Sequence, residues 1–194
     1  MSSEFLYKEY ECCFEQLRYY DTRHFDTLKY IFTLSSSASA ALFALYNLFK
    51  LTSKEFYIFQ SLLTLIVFVS TLILYLTMVR NRLCFVRVAR QLNAIRGFLL
   101  ETEAMGFTNN QLYTSTNTES FKLSSIHTLQ LIGGGVFPSL FSAVTAYGMY
   151  PALGKQSSEL TAIFTFCIVF LTQLIGAGIY LNNIDKKTSG NVVQ

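Results

Sequence analysis

The sequence predicts an all-α polytopic membrane protein, with four transmembrane helices and two cytosolic amphipathic helices. Three observations predict it. Only 14% of the 194 residues are charged, against about 25% in an ordinary soluble domain. The charge is missing from four long windows and concentrated between them. The lysines and arginines collect on one side of those windows. No stretch between them is long enough for an extramembrane enzyme domain of ordinary size.

The windows without Asp, Glu, Lys or Arg cover residues 30–49, 56–79, 123–154 and 160–184, which is 20, 24, 32 and 25 residues. About 20 predominantly apolar residues suffice to cross the hydrocarbon. Backbone groups in lipid must be satisfied within the segment, so these windows predict helices. Runs such as 62–76 do not alternate as barrel strands do. The expected spans are 30–49, 56–79, 126–150 and 160–184. The first is diluted by Ser35, Ser36, Ser37 and Ser39. The acidic start of the chain, with Glu4, Glu9 and Glu11, does not resemble a cleavable signal peptide. The first span is therefore expected to be retained.

Lysine and arginine set the orientation. Twelve of the 15 lie before residue 30, between residues 80 and 122, or in the tail 185–194. Lys50, Lys54 and Lys155 lie in the two short loops on the other side. This positive-inside bias predicts cytoplasmic N and C termini and a cytoplasmic middle loop.

Two further segments read as amphipathic helices. Over residues 4–28, Leu6, Tyr10, Cys13, Leu17 and Tyr20 form an apolar seam, with Glu4, Lys8, Glu11, Glu15 and Arg18 on the other face. Over residues 80–100, Phe85, Val88, Leu92, Ile95 and Leu99 recur at alternating spacings of three and four. This second segment is expected to continue out of the second span. Its seam is narrow, as in a coiled coil. The acidic first helix and the basic second helix are expected to lie side by side. Arg80, Arg82, Arg87, Arg90 and Arg96 are the candidate residues for binding a partner protein or lipid headgroups. Residues 101–121 read as a loop, rich in Asn, Thr and Ser from Asn109 onward.

In the third span, Gly133, Gly134 and Gly135 precede Pro138. Proline removes a backbone donor and crowds the preceding turn, so a kink or a short unwound stretch is expected. These residues are a candidate hinge or gate; close helix packing is the alternative. Small residues at Ser37, Ala41 and Ala44, at Gly135, Ser139 and Ala143, and at Gly176 and Gly178 mark helix-packing faces, within or between subunits.

No metal motif, phosphate loop or serine nucleophile elbow is present, so no cofactor and no enzymatic activity are expected. Cys12 and Cys13 read as small apolar residues rather than a redox or metal pair. Arg18 and His24 share the Arg-x5-His spacing of the HEPN group of helical ribonucleases, a spacing too frequent to assign catalysis. His127 is expected near the inner mouth of the third span. No ionisable Asp, Glu, Lys or Arg lies within a span, which disfavours a small ion-coupled transporter.

The layout resembles small polytopic membrane proteins of bacterial anti-phage defence systems. Residues 4–100 are similar in arrangement to the SLATT group, and the four-span count is similar to the membrane subunit of the Kiwa system. The resemblance implies a homo-oligomeric membrane sensor or scaffold, set in a bacterial inner membrane, that binds membrane lipid and a cytosolic protein, rather than nucleic acid. A pore-forming effector that permeabilises the membrane is the second reading, and a small transporter the third.

Overall fold

The computed structural model describes residues 3–48, 54–103, 119–156 and 159–190. Every regular element among them is an α-helix: α1 (Ser3–Leu48), α2 (Lys54–Glu103), α3 (Ile126–Ala152) and α4 (Glu159–Gly190). All four are long and apolar enough to cross a membrane. This is the architecture of an integral membrane protein. The six helical segments expected from the sequence merge into four. Residues 4–28 are the first half of α1, and residues 80–100 are the second half of α2. Neither forms a separate amphipathic helix. The expected tail also changes, because α4 runs on to Gly190. Most of the expected loop 101–121, and Lys50, lie outside the described residues.

One packing seam explains why α1 and α2 are continuous. The apolar positions of the early α1 segment continue at the same alternating spacing through His24, Thr27, Ile31 and Ala38, which are all buried. In α2 the pattern starting at Phe85 extends backwards through Asn81, Met78, Thr71, Val67, Thr64 and Gln60, again all buried. These positions keep a seven-residue repeat, the register of two helices supercoiled around each other. The two helices run antiparallel. Cys13 packs with Leu92 and Ile95, Ile31 with Met78, and Ala38 with Val67. Arg96 donates to the Tyr10 hydroxyl at 2.9 Å near the far end of the pair. Glu11 and Glu15 point outward and are exposed. Leu92, Ile95 and Cys13 thus join the halves through apolar packing.

α3 packs on α2 and also reaches α1, where the Phe137 ring meets Phe32 edge-on at 4.7 Å. Tyr75, Val79, Leu83, Leu131, Ala177 and Leu181 complete the main core with Ile31 and Met78. Hydroxyls reinforce the α2–α3 contact. Thr145 donates to the Thr64 hydroxyl at 2.8 Å within a fully buried environment. Thr64, Thr71, Ser139 and Ser142 each donate to a backbone carbonyl of their own helix. A hydroxyl placed so costs little in hydrocarbon and holds helices in register.

α3 runs unbroken through its glycines and through Pro138, whose ring is fully buried. The expected unwound stretch is absent. Two of the glycines are close-packing sites. A Cβ on Gly134 would lie 3.2 Å from the Met78 sulfur, and one on Gly135 would lie 3.2 Å from Gln173 Oε1 and 3.3 Å from the Tyr75 ring. Gly133 meets nothing. The helix ends where Gly154 adopts a positive φ of 74°. Its N–H donates to the Pro151 carbonyl, and the Lys155 N–H donates to that of Tyr150. This pair of bonds is the Schellman closure that glycine permits.

These contacts predict a contrast within one triplet. Gly134→Leu should lower stability by about 1–3 kcal/mol, the usual cost of forcing extra carbon into a packed interior. Gly133→Leu should leave it unchanged or raise it. Thermal unfolding of both variants in detergent checks this, and equal losses would show that the glycines serve backbone bending instead.

Candidate functional site

Where α1 and α2 leave the uncharged windows, their seam turns polar. His24, Thr27, Asn81 and Arg82 are all buried at this level, and His127 and Thr128 of α3 join them. A buried arginine that is 5% exposed demands partners. Arg82 Nε donates to the Ser120 carbonyl at 3.0 Å, which ties the segment preceding α3 to α2. Its guanidinium Nη1 lies 3.3 Å from His127 Nδ1, and it also stacks over Phe85.

Those contacts assign the tautomer of His127. A guanidinium has no acceptor, so Nδ1 must accept. The ring proton then sits on Nε2 and is donated to Asp21 Oδ1 at 2.9 Å. Asp21 itself is 64% exposed. A neutral imidazole therefore bridges a buried cation on α2 to a solvated carboxylate on α1. His24 stacks against the same ring, with centroids 4.9 Å apart and planes 17° from parallel. Phe85 closes the other side edge-on at 4.5 Å. One side chain, His127, thus locks three helices together.

His24 is the strained member. Both its ring nitrogens are buried, and among the described residues neither has a hydrogen-bond partner of good geometry, the Met78 backbone being only a weak contact. Its pKa is pushed down from 6.5 to about 4, first by burial and then by the neighbouring His127 and Arg82, against a weaker opposing pull from the Met78 backbone and Asp21. Asn81 Nδ2 and Thr128 Oγ1 are also buried without partners. The layer holds its charge as one arginine and one carboxylate, and it resists any further proton.

The five arginines singled out from the sequence do not share a face. Arg80 and Arg87 are exposed, Arg90 and Arg96 are partly buried, and Arg82 is the buried centre of the polar layer. Arg82 is therefore an internal structural cation and is removed from the partner-binding set. Arg18 is exposed and lies over Phe14, while His24 is 1% exposed, so this pair cannot present both groups to a substrate. Cys12 is exposed and Cys13 buried. The Cys13 thiol is pushed up by burial and by Glu9, which keeps it protonated and inert. Ser37, Ala41 and Ala44 face outward, and Ser35 and Ala38 take the packing positions. A Cβ on Gly176 would meet nothing within 4 Å, and one on Gly178 would only touch the Phe121 ring at 3.9 Å, so neither glycine is required by close packing.

Sequence reasoning missed Asp21 and the joining of His24, Arg82 and His127. A signal was present: extending the two seven-residue repeats inward places His24 and Asn81 at packing positions. Comparison with protein-family models, with curated proteins and with solved structures finds no match for this chain.

His24 carries a pH prediction. It binds a proton near pH 6.5 when unfolded and near pH 4 when folded. The unfolded chain therefore takes up the extra proton between those values, and stability falls as pH drops through that window. Above pH 6.5 the group contributes no slope. The loss should reach about 3 kcal/mol near pH 4. Melts of the wild type and His24→Leu at pH 7.5, 6 and 5 should show a flatter profile for the variant. Parallel profiles would show that another group dominates.

Proposed function

We propose that this chain is a non-enzymatic, homo-oligomeric scaffold or sensor of a bacterial inner membrane, which docks a cytosolic protein on the projecting open end of the α1–α2 hairpin. The observation that carries it is the outer surface of that hairpin. The part of α1 before residue 30 is about 40 Å long at 1.5 Å per residue, and α2 continues beside it to Glu103. This pair buries Leu92, Ile95 and Cys13 inside, yet leaves Phe5, Tyr7, Phe14, Tyr19 and Phe98 between 41% and 55% exposed. Large aromatics outside the uncharged windows, with Arg18 over Phe14 and an exposed Arg87 on α2, have the composition of a protein-binding face.

Lysine and arginine distribution supports a cytosolic location for the hairpin and for both termini. The expected anti-phage setting follows the resemblance in layout and adds a place for a sensor, in which membrane perturbation reaches the hairpin through α1 and α2. The pore reading has less support. The hydroxyls of Ser139 and Ser142 bond to backbone carbonyls of α3, that of Thr145 bonds to Thr64 of α2, and all three are buried within a single chain. Side chains already satisfied in this way do not offer a conducting pathway a polar lining.

The test is capture of a cytosolic protein by the full-length, tagged chain in its native cells. Phe14→Glu with Arg87→Glu alters two exposed positions and should abolish capture while the chain remains in the membrane fraction. Unchanged capture, or rapid loss of membrane potential on expression with no protein captured, would contradict the scaffold reading.

A further inference from the structure

We propose that the groove between α2 and α4 is a binding site for an anionic membrane phospholipid, with an acyl chain in the groove and the phosphate on Arg80. The groove has a volume of about 450 Å³, within the range of small-molecule sites. Leu76 and Val79 line it from α2, and Gly176, Ala177 and Tyr180 from α4. At the end remote from Arg80, Tyr75 donates to the Gln173 carbonyl at 3.2 Å and holds the two helices together.

Gly176 keeps the groove open. A Cβ there would meet nothing within 4 Å, so the glycine is not a helix-packing contact. It leaves a gap on the lipid-facing surface that neither helix fills. Hydrocarbon is the solvent at this depth, and an acyl chain suits walls made of Leu76, Val79 and Ala177.

Arg80 selects the headgroup. It is the first charged residue after the uncharged window 56–79, it lines the groove, and it is exposed. It makes no hydrogen bond or ion pair with another described residue, unlike Arg82 and Arg96. A guanidinium at the rim of an apolar crevice between transmembrane helices matches a phosphodiester in two-point geometry. A zwitterionic headgroup brings its own cation and gains less. The Tyr180 ring, with an apolar body and a polar tip, suits the same boundary. This site is separate from the hairpin face and does not depend on its partner.

The experiment uses the full chain, stripped of lipid in a neutral detergent and titrated with phosphatidylglycerol, phosphatidylcholine or inorganic phosphate, with lipid occupancy read by native mass spectrometry and stability by thermal unfolding. Phosphatidylglycerol should bind saturably and raise the melting temperature; phosphatidylcholine should do so weakly and phosphate not at all. Arg80→Gln should weaken phosphatidylglycerol about fivefold, the worth of one basic residue at an anionic surface, and erase its advantage over phosphatidylcholine. Gly176→Leu, which fills open space without a packing clash, should abolish binding of both lipids while the unliganded melting temperature holds. Wild-type phosphatidylglycerol binding in both variants overturns the site. So does an equal effect of phosphatidylcholine or phosphate on the wild type, or a concentration-dependent dimer that fills the groove and leaves lipid binding unaffected by either substitution.

Discussion

The whole structure depends on one continuous packing seam between α1 and α2. Hydrocarbon dictates that each crossing segment be a helix, but it does not dictate which faces meet, because the surrounding lipid is as apolar as leucine. The seven-residue repeat does. It carries the pairing from Ala38 and Val67, through Ile31 and Met78, to Cys13, Leu92 and Ile95. The chemistry of the seam changes along its length while its geometry does not. In the uncharged windows Ser35, Ala38, Thr64 and Thr71 share it with Ile31, Val67 and Met78, and beyond them Leu92 and Ile95 pack it with Cys13. That change follows the solvent: in lipid, close backbone approach and shared hydroxyls hold helices, whereas in water burial of leucine and isoleucine does.

The polar layer sits where one regime gives way to the other. Burying Arg82, His24 and His127 there does not maximise stability, since apolar residues of similar volume often serve as well or better. What the layer supplies is register. A guanidinium, an imidazole and a carboxylate from three helices meet at one height, and a slip of one turn would separate them. Polar residues at packing positions of coiled coils act in this way, by making alternative registers costly. The same layer couples α3 to the hairpin through His127, so a rotation of α3 must disturb the Asp21 and Arg82 contacts together.

Much of this was legible in the amino acids. The four windows stand out because charge is excluded from hydrocarbon, and their limits agree with the helices to within a few residues except where α1, α2 and α4 run on. The seams over 6–20 and 85–99 were legible because water on one side enforces an apolar and polar contrast. Their continuation was not, because inside lipid the outward faces are apolar as well: Phe43, Leu62, Ile66 and Ile73 are exposed, and the buried positions mix Ser35, Thr64 and Thr71 with Ile31, Val67 and Met78. Apolar residues lie on every face there, so periodicity carries no contrast. Gly134, Gly135 and Pro138 suggested bending, yet Met78, Tyr75 and Gln173 use the missing side chains for contact. Arg82 looked like one of five surface cations, and only the arrival of α3 beside it makes it a buried centre.

The measurement that tests the account most directly is amide hydrogen exchange on the intact chain in lipid nanodiscs. Continuous helices in a bilayer predict near-complete protection over residues 30–48, 56–79, 126–150 and 160–184. They predict slower than random-coil but measurable exchange over residues 5–28 and 84–100, with no break in protection across residues 24–31 or 78–85. Exchange over residues 30–48 or 56–79 as fast as over the hairpin, or an unprotected gap at its base, would contradict helices that run unbroken from hydrocarbon into water.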